Sequence, residues 1–240
     1  MTSPASGPAP TTPAVIHLAN KHDFADQAAT NRTERTAVQT LLDTLQGSDR
    51  PFLLASGLAV VLDRPLTERD PSPHVGPDSL RGGTEALAME YADRGVRSVA
   101  LRFAPTVHGT GDHGFVAVLA GIAKQKGVSG YIGDGVNTWP AVHVSDAGRL
   151  VALALEKAPA SSVVHAVAEE GVPTRAIAEG LAEAIGVPAR SVAPEDAAEH
   201  FGWLGGFFGM NVTASSAITR ELLGWAPAGP TLLEDLPRYA

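Results

Sequence analysis

Short apolar runs alternate along the chain with longer stretches whose apolar residues recur at helical spacing. AVIHLAN (14–20) reads as a buried parallel strand. Residues 24–46 read as an amphipathic helix, with Phe24, Ala28, Val38, Leu41, Leu42 and Leu45 on one stripe and Gly47 closing it. PFLLASGLAVV (51–61) is the next strand, followed by a Pro-rich loop over 63–77 and a helix over 78–94 that stops at Gly95. VRSVALRF (96–103) is a strand, APTVHGTGDHG a loop, 115–126 a helix and GYIGDG a short strand. HVSDAGRLVALALEKAP predicts a helix with Ser145 as N-cap, VVHAVAE a strand and TRAIAEGLAEAIG a helix. From 190 onward, short helical pieces mix with glycines. Strand–helix alternation of this kind predicts an α/β fold: a Rossmann-like, doubly wound, mostly parallel sheet. The expected layout is a leader over 1–13, a core over 14–165, and a small C-terminal substrate subdomain over 166–240 interleaved with the core. With four prolines, the leader is expected to be disordered.

Composition narrows the functional classes. The 240 residues allow one or two domains. With 44% hydrophobic and 18% charged residues, the chain is not a mostly disordered one. Cysteine is absent, which excludes disulfides, thiolate catalysis and Cys-ligated metals. Eighteen Lys and Arg against 26 Asp and Glu give a net charge of −8, with no cationic stripe. No nucleic-acid or anionic-membrane partner is therefore expected. No apolar stretch approaches the ~20 residues of a membrane helix, and no basic-then-apolar leader is visible, so a cytoplasmic location is expected.

Gly109, Gly111 and Gly114 spell G-x-G-x-x-G, with Asp134 further on. A dinucleotide site needs a strand running straight into the first glycine. Here the strand ends near Phe103, Pro105 intervenes, and Asp112 opposes a pyrophosphate, so an irregular ligand-side loop is expected. His17, His22 and Asp23 frame the end of the first strand. Without a nearby third ligand the spacing predicts no metal, and His22 becomes a candidate at the mouth of a cleft.

Four segments together resemble a known family. LRFAPTVHGTGDHGF, YIGDGVNTWPAVHVSDAGRLVALALE, VIHLAN and LLASGLAVV are similar to blocks of the NAD-dependent epimerase/dehydratase group of extended and atypical short-chain dehydrogenases. The resemblance covers about residues 14–240. It implies that two further βα units, with the glycine-rich cofactor turn, would precede VIHLAN, and the chain is read as an N-terminally truncated relative lacking that fingerprint. The family's Tyr-x-x-x-Lys pair falls on Arg81 and Glu85, and arginine is no general acid or base near neutral pH. Ser56 falls at the family's catalytic Ser or Thr.

The resemblance also places the candidate site. His113 with Asp112 is the expected acid/base pair, His143 a second proton carrier, and Ser56 a hydrogen-bond donor to a substrate oxygen. His108, Asn137, Trp139, Arg81, Glu85 and His22 are the expected substrate-binding residues. Residues 201–210, FGWLGGFFGM, suit either core packing or an apolar lid. Without the fingerprint no cofactor is expected, and the activity predicted is proton transfer on a small organic molecule: isomerisation, dehydration or cyclisation. The rival readings are an NAD(P)-dependent enzyme whose dinucleotide half comes from elsewhere, and a non-catalytic partner protein. VIHLAN is expected to be an open sheet edge, and the resemblance implies a homodimer through the helices at 24–46 and 78–94.

Overall fold

A computed structural model describes residues 13–21, 26–58 and 61–240. His22, Asp23 and Phe24, with the 1–12 part of the leader, lie outside the described residues. Four parallel strands form the main sheet: β1 (Val15–His17), β2 (Pro51–Gly57), β3 (Arg97–Phe103) and, beyond it, Ser162–Ala166. Their order is the chain order, and the first strand is an edge paired only with β2 among the described residues. Such a sheet is covered on both faces, which is why these strands read as continuous apolar runs.

One face is covered by α1 (Gln27–Leu45) and α2 (Thr84–Glu90), where Val38, Leu42, Leu87 and Tyr91 close over Phe52 and Leu54. Asp26 caps α1 by accepting from Ala29 N at 2.9 Å. The buried stripe of α1 is apolar only from Val38 onward. Nearer its start the buried residues are Thr30, Asn31 and Glu34, and the expected stripe residue Ala28 is exposed.

The helix expected over 78–94 is broken. A 3-10 turn, Leu80–Gly83, precedes α2, and Arg81, Gly82 and Gly83 all have left-handed φ. A Cβ at Gly82 would stand 2.7 Å from the Asn31 carbonyl oxygen, so the turn and α1 touch backbone to backbone. Further on, a short strand β4 (Thr106–His108) leads to α3 (Phe115–Lys126), β5 (Ser129–Ile132) and β6 (Thr138–His143). α4 (Val144–Lys157) follows and covers the other face of the main sheet with Leu150 and Ala154. Its N-cap is His143, not Ser145: the His143 imidazole accepts from Ser145 N at 3.3 Å. After β7 (Ser162–Ala166), β8 (Glu169–Pro173) joins β4 and β6 in a second sheet. α5 (Thr174–Ile185) and β9 (Ala189–Val192), which pairs with β5, complete the smaller lobe. That lobe has its own core, built on Trp139, Ile177, Phe201, Leu204 and Phe208. Among the described residues no helix is long and apolar enough to cross a membrane.

Ala at Gly82 meets both a positive φ and a backbone oxygen, whereas Ala at Gly127 meets positive φ alone. Gly127→Ala is expected to cost about 1 kcal/mol and Gly82→Ala about 2–4 kcal/mol. Urea unfolding of the two variants measures the difference.

Candidate active site

The chain's strand ends converge on a cavity of about 430 Å³ outside the carboxyl ends of β2 and β3. Doubly wound sheets bind ligands in this position. Ser56 and Gly57 at the end of β2, with Asn20, Gln27 and Arg81, form its polar end. Phe103, Pro105, Phe115, Trp203 and Phe207 form an apolar wall. Ser56, Gly57, Leu80 and Arg81 also border a second, small pocket of about 40 Å³, which is large enough for water. Ser72, His74, Thr84 and Glu85 line that pocket. The His74 Nε2 atom is buried and has no hydrogen-bond partner among the described residues.

Three anchors fix the polar end. Arg81 N donates to Asn31 Oδ1 at 2.9 Å, holding the left-handed turn against α1. The Arg81 guanidinium donates to Glu34 Oε1 through Nε at 2.9 Å and Nη2 at 2.5 Å. Asn20 donates to the other Glu34 oxygen. The polar first half of α1 is thus explained: Asn31 and Glu34 face the site rather than the core.

Behind Ser56 lies a row of polar side chains across the sheet. Ser56, Arg102 and His165 are in register on β2, β3 and β7 and project from the same face. Arg102 binds Glu85 with Nε at 3.1 Å and Nη2 at 2.6 Å from Oε1, and both side chains are buried. Removing either partner of such a pair costs about 3–5 kcal/mol. Arg102 Nη1 also donates to Asp70 O at 2.9 Å, which holds the loop carrying His74. Arg81 and Glu85, at the positions of the family's Tyr-x-x-x-Lys pair, are therefore bound to different partners. Arg81 binds α1, and Glu85 binds β3.

The other expected site residues stand elsewhere. His108 Nδ1 donates to Asp235 Oδ2 at 2.9 Å, both buried, and the His143 ring packs on His108 at 5.4 Å. Burial and the facing His108 hold the His143 imidazole below its ordinary pKa, against the pull of Asp235. Burial pushes the Asp235 carboxyl up, but hydrogen bonds from His108 and Arg238 outweigh it and hold it low. Asp112 accepts from Gly114 N at 2.6 Å and from the Tyr239 hydroxyl at 2.6 Å, and burial with that bond pushes the Tyr239 phenol up. His113 is exposed, with Nδ1 3.0 Å from Gly111 O. Asn137 donates to Phe208 O and Met210 O, clasping 201–210. Trp139 is fully buried and supports Phe115 and Phe207 from behind. None of these six residues is among those lining the cavity. Asn20, Gln27, Phe103 and Phe115 of the cavity, and His74 of the small pocket, are among the lining residues that sequence reasoning did not single out.

The glycine-rich turn bears on the cofactor. Unlike the sequence expectation, a strand does run straight into it: β4 ends at His108, next to Gly109. A dinucleotide's pyrophosphate still does not fit there. The Asp112 carboxylate accepts from Gly114 N and places its own negative charge just before α3, and Arg238 donates to Thr110 Oγ1 at 3.2 Å across the turn. Gly109 is glycine for packing, since a Cβ there would stand 2.6 Å from Val144.

No family model matches the chain. It is 42% identical over 222 residues to Uncharacterized protein C2A9.02 of Schizosaccharomyces pombe, covering 92% of this chain and 75% of that one. It is 40% identical over 225 residues to Uncharacterized protein YLL056C of Saccharomyces cerevisiae, covering 92% and 74%. The chain belongs to the family of these two fungal proteins. Among solved structures it is similar to the dTDP-glucose 4,6-dehydratase DesIV of Streptomyces venezuelae with NAD and TYD bound. The TM-score is 0.75 at 20% identity, covering 94% of this chain and 71% of that one. It is likewise similar to the UDP-glucose 4-epimerase of Thermotoga maritima with UDP-glucose, with a TM-score of 0.73 at 21% identity, covering 93% and 74%. The chain thus has the Rossmann-like fold of these epimerase and dehydratase structures, the fold that the four sequence blocks implied.

One histidine of this region carries a pH prediction. His165 Nδ1 donates to Ser215 O at 2.8 Å, and Nε2 faces Arg102 Nη1 at 3.4 Å. Burial, and then Arg102, hold its pKa low, against the pull of Glu68. The unfolded chain takes up this proton near pH ~6.5 while the folded chain does not. Stability is therefore full above about pH 6.5 and falls as pH drops toward about 5. Urea unfolding at both ends of that range is expected to show the loss, and His165→Gln to reduce it.

Proposed function

We propose that the chain binds a small organic molecule in the cavity at Ser56 and Arg81 and moves a proton on it, in an isomerisation, dehydration or cyclisation. The carrying observation is the pairing of two pockets across one wall: an apolar-walled cavity with Ser56 at its polar end, and a small pocket holding the buried His74 nitrogen. In this reading the Ser56 hydroxyl donates to a substrate oxygen and steadies the charge that develops there. The imidazole of His74 takes a proton from the neighbouring carbon through a water in the small pocket and becomes imidazolium. It then returns that proton to another carbon, to the other face, or to a departing hydroxyl that leaves as water. Arg81, neutralised by Glu34 and fixed by Asn31, orients the oxygen rather than exchanging protons. His113, Asp112 and His143 take no step in it.

A second reading has one specific support. β1 is an edge of the main sheet, and the DesIV structure of the same fold carries NAD. In that reading a dinucleotide-binding half pairs with β1, and the chain is part of an NAD(P)-dependent oxidoreductase. Titration calorimetry of the purified chain with NAD(H) and NADP(H) separates the two. The first reading expects no heat at millimolar cofactor, and micromolar binding would put the second in its place. On any compound the chain turns over, Ser56→Ala and His74→Gln are each expected to lower kcat by about 10²–10⁴-fold. His113→Ala is expected to leave it near wild type.

A further inference from the structure

Ser145 is exposed and pairs with a histidine that the Ser56 cavity does not use. Its Oγ lies 2.7 Å from His143 Nδ1. The Ser145 amide donates to the same nitrogen at 3.3 Å, so Nδ1 is the bare, accepting nitrogen and the hydroxyl donates to it. A hydroxyl donating to a neutral imidazole is the arrangement that makes serine a nucleophile, because its proton has a place to go as the oxygen attacks.

The imidazole is held in place from several sides. Two glycines from distant parts of the chain clasp it: a Cβ at Gly109 would stand 3.2 Å from His143 Nε2, and one at Gly229 would stand 2.9 Å from its Cγ. The His108 ring meets it edge-on at 5.4 Å, and Asp235 fixes His108 in turn at 2.9 Å. The charged and titratable groups facing His143 are His108 of β4, Asp235 and Arg238 of the C-terminal segment, and Arg149 of α4 itself. Burial, with His108 and the two arginines, outweighs the pull of Asp235 and keeps the ring a free base at neutral pH. Ser145 also stands in the first turn of the 14-residue α4, where the helix dipole favours negative charge building on an attacked carbonyl oxygen. The Asp146 carboxylate of that turn is engaged by the amides of Ala228 and Gly229 and by Arg149.

We propose that Ser145 is an acyl-accepting nucleophile with His143 as its base, and that it takes the acyl group of an activated ester at a site separate from the Ser56 cavity. The Ser145 oxygen bonds the acyl carbon and its proton passes to His143 Nδ1. The bond from that carbon to the leaving oxygen breaks, and the leaving alcohol takes the proton as it departs. Water then cleaves the acyl-serine by the same route and frees the carboxylic acid.

The probe is 4-nitrophenyl acetate on the whole chain. Release of 4-nitrophenol is followed by absorbance, and the acetylated residue is located by peptide mass spectrometry. The expected adduct is on Ser145. Ser145→Ala changes an exposed side chain, is expected to keep the thermal midpoint, and is expected to lose the adduct and slow release about tenfold or more. His143→Gln, with Ser145 kept, is expected to lose the adduct too; a full adduct there would show a serine that needs no base and would overturn the proposal. The wild-type rate is expected to be level between about pH 7 and 8, since the base is already unprotonated. A rate that climbs tenfold per pH unit across that range, as for attack by hydroxide, overturns the proposal. So does an adduct found only on lysines or at Ser56, or release that Ser145→Ala leaves unchanged.

Discussion

Arg102 projects from β3 onto the face covered by α2. There Glu85 binds it, Asp70 O accepts from it, and His165 of β7 lies in register beside it. A buried guanidinium needs most of its donors satisfied, because each one left bare in the interior costs free energy. Satisfying Arg102 therefore pulls three pieces of chain into fixed places: helix α2, the loop after β2, and strand β7. The first of these carries the Arg81 turn at its start, the second carries His74, and Ser56 stands next to Arg102 on the neighbouring strand. The polar end of the cavity is the outer layer of this buried network. Arg81 repeats the arrangement nearer the surface, with Glu34 and Asn31 of α1 as its partners.

The second group of ionisable residues serves a different purpose. His108 with Asp235, Asp112 with Tyr239, and Asp146 with the backbone of Ala228 and Gly229 all tie the C-terminal segment to the glycine-rich turn and to α4. Each is buried or capped by a partner from far along the chain, which is how polar groups are kept inside a fold. Of the histidine and carboxylate that the sequence suggested as an acid–base pair, Asp112 is held by Tyr239 and His113 faces Gly111 O of its own turn. The G-x-G-x-x-G spelling has the same explanation, since its first glycine makes room for α4 and its aspartate holds the turn by accepting from Gly114 N.

Much of the fold was legible because long periodic segments decide their own structure. α1, α3, α4 and α5 follow the helical spacing, and β2, β3 and β7 follow the apolar runs. Strands β4, β6, β8 and β9 were missed. They are short, β6 contains Pro140, and their pairing comes from distant segments rather than from local pattern. The helix over 78–94 looked continuous because nothing in RGG announces that the turn must fit under α1. Ser56 and Arg81 were legible through the family resemblance. His74 was not, since it sits in a Pro-rich loop without periodicity and is placed by Arg102 holding Asp70. Residues 201–210 were read as core or lid; Phe201, Leu204 and Phe208 are buried in the core, and Trp203 and Phe207 line the cavity wall.

The most direct test is a crystal structure of the chain soaked with a small cyclic ketone such as 1-tetralone. Its carbonyl oxygen is expected in the cavity, about 3 Å from the Ser56 hydroxyl. A ligand seated at the glycine-rich turn, or in the cleft between Lys126 and Arg190, with the Ser56 cavity left empty, would contradict the account.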